Sequence, residues 1–206
     1  MSRPDSYVAV VKIGGSLYGT ERLDRVLAGV LAAPVPVVIV PGGGPFADAV
    51  REAQRRLNFD DRLAHRLALD AMAQAAEALA ARHARLVVAA NAAEIAVAHN
   101  AGLIPVWQPR ALRAGHADIP ESWDVTSDSL ALWLATALDA ARLVLVKSLD
   151  VPPASPAALA ATGVVDAAFP VFAQNFTGQV MIAGPAADAA LSALIAGSDA
   201  KGAQAA

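Results

Sequence analysis

Four stretches of this 206-residue chain carry residue types suited to handling a phosphate. Lys12 lies in the apolar run Val8-Ala-Val-Val-Lys-Ile, which leads straight into Gly14-Gly15-Ser16. A second run, Val37 to Val40, passes through Pro41 into Gly42-Gly43-Gly44 and Pro45. Lys147 closes a third, Leu143-Val-Leu-Val-Lys, and Asp128 stands in Trp123-Asp-Val-Thr126-Ser127-Asp128-Ser129. Without Cβ atoms, the three consecutive glycines can turn their N–H groups outward, and a helix opening at Pro45 adds the partial positive charge of its N-terminus. A strand, a bare turn and a helix start together make a seat for an anion, most often a phosphate. The competing reading is a tight connection with no ligand, for which one glycine would suffice.

An ammonium among apolar neighbours is costly unless a negative charge meets it. Lys12 is therefore a site cation or, failing that, a lysine on a water-facing edge strand. Asp128 falls in the first turn of a helix that Thr126 or Ser127 can cap, where an acid is also ordinary capping chemistry. Gly14 to Thr20 has the outline of a P-loop but lacks its lysine. Gly42-x-Gly44-x-x-Ala47 matches the dinucleotide fingerprint, which makes NAD a competitor. That reading needs an acid at a strand end about twenty residues on, and Asp60 and Asp61 lie between two helical stretches instead.

The elements that must position these residues follow from periodicity. Strands are expected at Val8–Ile13, Val37–Val40, Arg85–Ala90, Ile104–Trp107, Leu143–Lys147, Val164–Asp166 and Val180–Ala183, with helices between them. Leu63, Leu67, Met72 and Leu79 predict one long helix over 62–83, with His65, Arg66, Asp70, Gln74 and Glu77 on a solvated face. Asn91 is placed to cap a helix ending near His99, and Pro185 to Ala196 to form a closing helix. Residues 109–123, with Arg110, Arg113, His116 and two prolines, read as a functional or lid loop. Alternation of strands and helices predicts an α/β fold, a three-layer αβα sandwich with a mainly parallel central sheet. Its ligand crevice should lie at the carboxyl ends of the strands, where the glycine turns and both lysines fall.

Length favours one domain, taken as residues 1–197, with 198–206 as a disordered tail. A net charge of −3 removes the basic surface that nucleic acid or an anionic membrane would need, leaving a small molecule as the partner. The chain has no cysteine, which excludes disulfides, thiolate zinc sites and a cysteine nucleophile. His65, His83, His99 and His116 show no ligand spacing, so no metal cage is proposed. Met1 to Tyr7 lacks a signal-peptide core, and a cytoplasmic location is expected.

The segments Val-Val-Lys-Ile-Gly-Gly-Ser-Leu, Val-Ile-Val-Pro-Gly-Gly-Gly-Pro-Phe-Ala-Asp, Asp-Val-Thr-Ser-Asp-Ser-Leu-Ala and Leu-Val-Leu-Val-Lys-Ser-Leu-Asp resemble, in that order, the amino acid kinase superfamily. Within it, the short length, Ala64–Met72 and Trp123–Ser129 look most like the small kinases of methanofuran biosynthesis, which phosphorylate an aminomethylfuran methyl phosphate. The resemblance implies the αβα sandwich, ATP with Mg2+ held mainly by the phosphates, and a homodimer or higher homo-oligomer. It assigns Lys12 and Asp128 to catalysis, and the reading of the strand ends adds Lys147 as a second cation, with Asp128 orienting the lysines. Gly14, Gly15, Ser16, Gly42, Gly43, Gly44 and Asp150 are assigned to phosphate or nucleotide. Arg62, Arg66, Thr126 and Ser127 are candidates for the acceptor. Two departures stand out. Ser148-Leu149-Asp150-Val151 replaces the family's Asp-x-Asp-Gly, and after Lys147 the one remaining lysine is Lys201. An anion-binding module without turnover therefore remains an alternative, as does another small-molecule kinase acting on uridylate or a carboxylate.

Overall fold

The computed structural model describes residues 7–198. Lys201 and all but the first residue of the expected tail lie outside that range. Six strands form one sheet: β1 (Ala9–Ile13), β2 (Val37–Pro41), β3 (Leu86–Ala89), β4 (Ile104–Trp107), β5 (Arg142–Val146) and β6 (Gln179–Ala183). Their order is β3-β4-β2-β1-β5-β6, and each pairing is parallel, so the expected mainly parallel sheet is wholly so among the described residues. β1 and β2 are buried throughout, which is why they read as near-continuous apolar runs, interrupted in β1 by Lys12 alone, rather than alternating ones.

The helices are α1 (Glu21–Leu31), α2 (Gly44–Leu57), α3 (Asp61–Ala80), α4 (Ala92–Asn100), α5 (Ser127–Ala137), α6 (Pro156–Ala161), α7 (Phe169–Ala173) and α8 (Leu191–Ala196). In α1, Leu23, Val26, Leu27 and Val30 recur at the spacing of one helical face and meet Ala9, Val11 and Ile13 on one side of the sheet. On the other side Val10, Val38, Val40, Leu143 and Leu145 pack against Leu130 and Leu134 of α5, Leu69 and Met72 of α3, and Phe169. Side chains alternate along a strand, so Lys12 belongs to the face of Val10 and points toward α5. The chain leaves β1 toward β2 with α1 on one face, and reaches β5 on β1's other flank with α5 on the opposite face. The strand order therefore reverses beside β1, and such switch points open crevices at the strands' carboxyl ends.

Helix boundaries follow local chemistry. α2 stops where Asn58 turns left-handed (φ 55°), its N–H donating to Gln54 O, and α3 starts two residues later with Asp60 Oδ1 accepting from Leu63 N. Asn91 caps α4 as expected, accepting from Glu94 N. Two expectations need correction. Residues 164–166 form a bend after Gly163 (φ 71°), because β6 already occupies the ladder beside β5. The closing helix is two pieces, a 3-10 segment at Pro185–Ala190 and then α8.

Candidate active site

The carboxyl ends of β1, β2 and β5 bring three charged side chains and two glycine turns together. Asp128, in the first turn of α5, lies between two ammonium groups: Lys12 Nζ is 2.9 Å from Oδ1, and Lys147 Nζ donates to Oδ2 at 2.7 Å. Lys12 and Asp128 are each 5% exposed. Burial on its own would push the Asp128 carboxyl up; the two ammoniums outweigh it and hold the group below the usual carboxylate range. Burial, reinforced by Lys12, pulls the Lys147 ammonium down, and Asp128 only partly restores it. Within hydrogen-bond reach one carboxylate serves two ammoniums, an arrangement that a further anion would complete. Lys12 is thus no edge-strand lysine, and Asp128 acts on the lysines rather than as a helix cap.

The turns after β1 and β2 are pressed against each other. A Cβ at Gly15 would lie 2.4 Å from Gly44 N, and one at Gly42 would lie 2.5 Å from Gly15 N. Gly44 takes φ 52°, and a Cβ there would collide with the Tyr18 ring. Packing thus demands several glycines here, which corrects the expectation that a ligand-free turn would need one. Gly14 N donates to Val146 O and Gly42 N to Ile13 O, so those two amides hold the sheet ends together. Gly15, Gly43 and Gly44 are left as candidate anion donors. The Tyr18 hydroxyl donates to Gly42 O at 2.7 Å and fixes the second turn, and burial drives its pKa upward.

A cavity of about 500 Å³ opens beside these turns. Gly15, Ser16, Tyr18 and Gly42 to Gly44 form one wall, α2 contributes Asp48 and Arg51, α3 contributes His65, Leu69 and Met72, and Trp123, Val125, Thr126 and Ser127 close the far side. The charge cluster is not part of this lining; it meets the cavity through Ser127, next to Asp128, and through the turn that follows β1. Arg51 is the one cationic side chain of the lining; it donates to Asp48 Oδ1 at 3.1 Å on the same helix, and its guanidinium lies 4.4 Å from the centre of the Trp123 ring, whose Nε1 donates to Gln54.

Thr126 and Ser127 line the cavity, whereas Arg62 and Arg66 do not: both pair with Glu121, which they hold at a pKa of about 2. Asp150 is turned away, accepting from Ala186 N at 2.9 Å. Asp60 caps α3 and Asp61 accepts from Gln54, so neither stands at a strand end as a dinucleotide site would require. The solvated face expected on α3 holds for Gln74 and Glu77 but not for His65, which is 3% exposed and bonds Ser122 O through Nδ1. Burial lowers the His65 pKa. Arg51, His65, Trp123, Tyr18 and Asp166 were not assigned from sequence; the clearest available signal was Arg51, two turns into the helix behind the glycines. Among the described residues no group of three or more His, Asp or Glu side chains is placed to cage a metal ion.

Residues 8–96 match the amino acid kinase family. The fold agrees over nearly its whole length with uridylate kinase from Archaeoglobus fulgidus, at TM-score 0.71 and 16% identity, covering 96% of this chain and 97% of that one. Isopentenyl phosphate kinase gives TM-score 0.58 at 17% identity, covering 94% and 98%. In sequence, 143 residues are 29% identical to [5-(aminomethyl)furan-3-yl]methyl phosphate kinase of Methanocaldococcus jannaschii, 68% of this chain. The match spans 66% of that relative's length, just under two thirds. No helix among the described residues is long and apolar enough to cross a membrane.

Proposed function

We propose that the chain is an ATP-dependent kinase that phosphorylates a small acceptor already bearing a phosphate, of the aminomethylfuran methyl phosphate type. The observation that carries this reading is the buried pair of ammoniums sharing one carboxylate beside two glycine turns, next to a cavity whose lining has one guanidinium. ATP, when bound, supplies the phosphoryl group, and Mg2+ offsets the charge on its phosphates. Lys12 and Lys147 then meet the charge that spreads over the transferred group, and the amides of Gly15, Gly43 and Gly44 act as fixed dipoles. Asp128 keeps the two ammoniums apart and aimed. An oxygen of the acceptor's phosphate is the nucleophile and is already anionic, so no side chain is assigned as a base. Arg51 holds that phosphate from the α2 side, and the Trp123 ring offers a flat surface to the acceptor's body.

ADP formation with a panel of phosphomonoesters tests this. Lys12→Ala should lower kcat by roughly 100-fold or more, and Arg51→Ala should raise the acceptor KM by about tenfold while sparing the KM for ATP. Equal rates for the intact enzyme and Lys12→Ala would refute the assignment. The same reading places the enzyme in the cytoplasm as a homo-oligomer. A second reading, nucleotide or anion binding without turnover, draws support from the exposed Ser148-Leu149-Asp150 turn, whose carboxylate is engaged at Ala186. It requires saturable ATP binding by calorimetry with no ADP formed from any acceptor.

A further inference from the structure

The first turn of α5 carries both the carboxylate between the lysines and two residues of the cavity wall, yet its own sequence does not cap it. Thr126 is the N-cap residue, and its side chain bonds none of the helix's free amides. The missing acceptor comes from a distant part of the chain. Asp166, in the bend between α6 and α7, accepts through Oδ2 from Thr126 N at 2.9 Å, Thr126 Oγ1 at 2.8 Å and Ser129 N at 3.0 Å. Its Oδ1 accepts from the hydroxyl of Ser129, which is fully buried. Two residues on, Ala168 N donates to Asp124 O at 2.9 Å and fastens the same junction from the other side. Four donors from two residues thus converge on one carboxylate, and Ser127 and Asp128 are the two residues enclosed between them.

We propose that Asp166 is a positioning residue, a clasp that fixes the first turn of α5 so that Asp128 stands between Lys12 and Lys147 while Thr126 and Ser127 face the cavity. This rests on the kinase reading for its catalytic consequence, though the clasp itself is a matter of geometry. A carboxylate at a helix N-terminus satisfies orphan amides and opposes the helix dipole, which any helix would welcome. What sets this one apart is its place beside the charge cluster. The charged groups around the Lys147 ammonium are Lys12 from β1, Asp128 from α5 and Asp166 from the bend; Arg22 from α1 donates to the Lys147 carbonyl and is itself paired with Asp188. Asp166 favours the protonated ammonium, so its loss moves the Lys147 titration to lower pH.

Three variants test the clasp: Asp166→Ala, Asp166→Asn, and Asn91→Ala as the loss of a cap on α4, remote from the cluster. Asp166→Ala should lower kcat by about 10- to 100-fold through misplacement of Asp128. Asp166→Asn keeps most of the hydrogen bonds and loses the charge, so its kcat at neutral pH should stay near that of the intact enzyme while the basic limb of the pH profile moves down. Asn91→Ala should lose thermal stability and keep its kcat. The Lys147 side chain, followed by nitrogen-15 NMR, should titrate at lower pH in both Asp166 variants and not in Asn91→Ala. A folded Asp166→Ala within twofold of the intact kcat, or an equal loss in Asn91→Ala, overturns the proposal. If Asp166→Ala does not fold, Asp166→Asn decides, and an unmoved Lys147 titration is fatal. Should the intact protein phosphorylate no acceptor, the kinase reading falls, and the Lys147 titration judges the clasp alone.

Discussion

The Lys12–Asp128–Lys147 cluster and the pairs that tie loop 109–123 to α3 are both ionic, and they flank the same cavity. The cluster's side chains are 6–15% exposed; in the second set Glu121 and Asp70 are nearly as covered, at 14% and 23%, but the arginines that hold them are 32–68% exposed. The second set joins Glu121 to Arg62 and Arg66, and Asp70 to Arg110 and Arg113. Buried charges lack solvent to replace a lost partner, so removing one leaves the others uncompensated. Exposed charges exchange partners with water and salt at little cost. The comparison separates a buried network, where the proposed function puts the chemistry, from a cavity wall whose arginines are within reach of solvent and salt.

The largest expected effect comes from Asp128→Asn. It leaves two ammoniums facing each other under cover and should destabilise the fold by about 3–5 kcal/mol in urea unfolding, along with loss of turnover. The pH dependence carries a defined sign. Because the folded-state pKa of Asp128 is depressed, its stabilisation is complete above the ordinary carboxylate value near ~4 and is lost as pH falls through the lower folded value. Subtracting the Asp128→Asn stability profile from that of the intact protein removes the parallel titration of Glu121 and, separate from any slope at basic pH where Lys147, relieved of Asp128, titrates, should leave a slope in that acidic window. A flat difference there would place Asp128 outside the cluster's energetics.

Tyr18→Phe comes next. It removes the bond to Gly42 O and should cost about 1 kcal/mol, seen as a drop in Tm of roughly 2–4 °C, with a smaller fall in kcat. Glu121→Gln should have the least effect on stability, smaller than that of Tyr18→Phe and shrinking as salt is added. Its mark should be a raised acceptor KM, because Glu121 anchors the segment that carries Trp123. A loss as large as that of Asp128→Asn, or one that salt leaves untouched, would erase the distinction between the two networks.

The strands and glycine turns were legible in sequence because both are local: a run such as Val37 to Val40 states its burial, and a turn of three glycines states its lack of side chains. Lys12 was legible because apolar neighbours on both sides leave an ammonium few alternatives. The cavity wall was harder to see. His65 sits among polar residues at helical spacing and reads as solvated; the backbone at Ser122 and Val125, remote in sequence, meets its ring. Arg62 and Arg66 have the right charge for an acceptor, but Glu121, more than fifty residues on, already holds them. Asp166 was hidden for the same reason, its hydrogen bonds reaching 37 to 40 residues back along the chain. Pairings across that distance leave no periodicity to detect.

The contact between Gly15 and the Gly42–Gly44 turn leaves no room for even one added carbon. The two loops therefore stand as a fixed door frame, and under the proposed function the side left to yield to a ligand is the opposite jamb, the loop 109–123 segment that brings Trp123 to the cavity. Its latches are Arg–carboxylate pairs, so traffic through the doorway should quicken with ionic strength while the frame around it stays still.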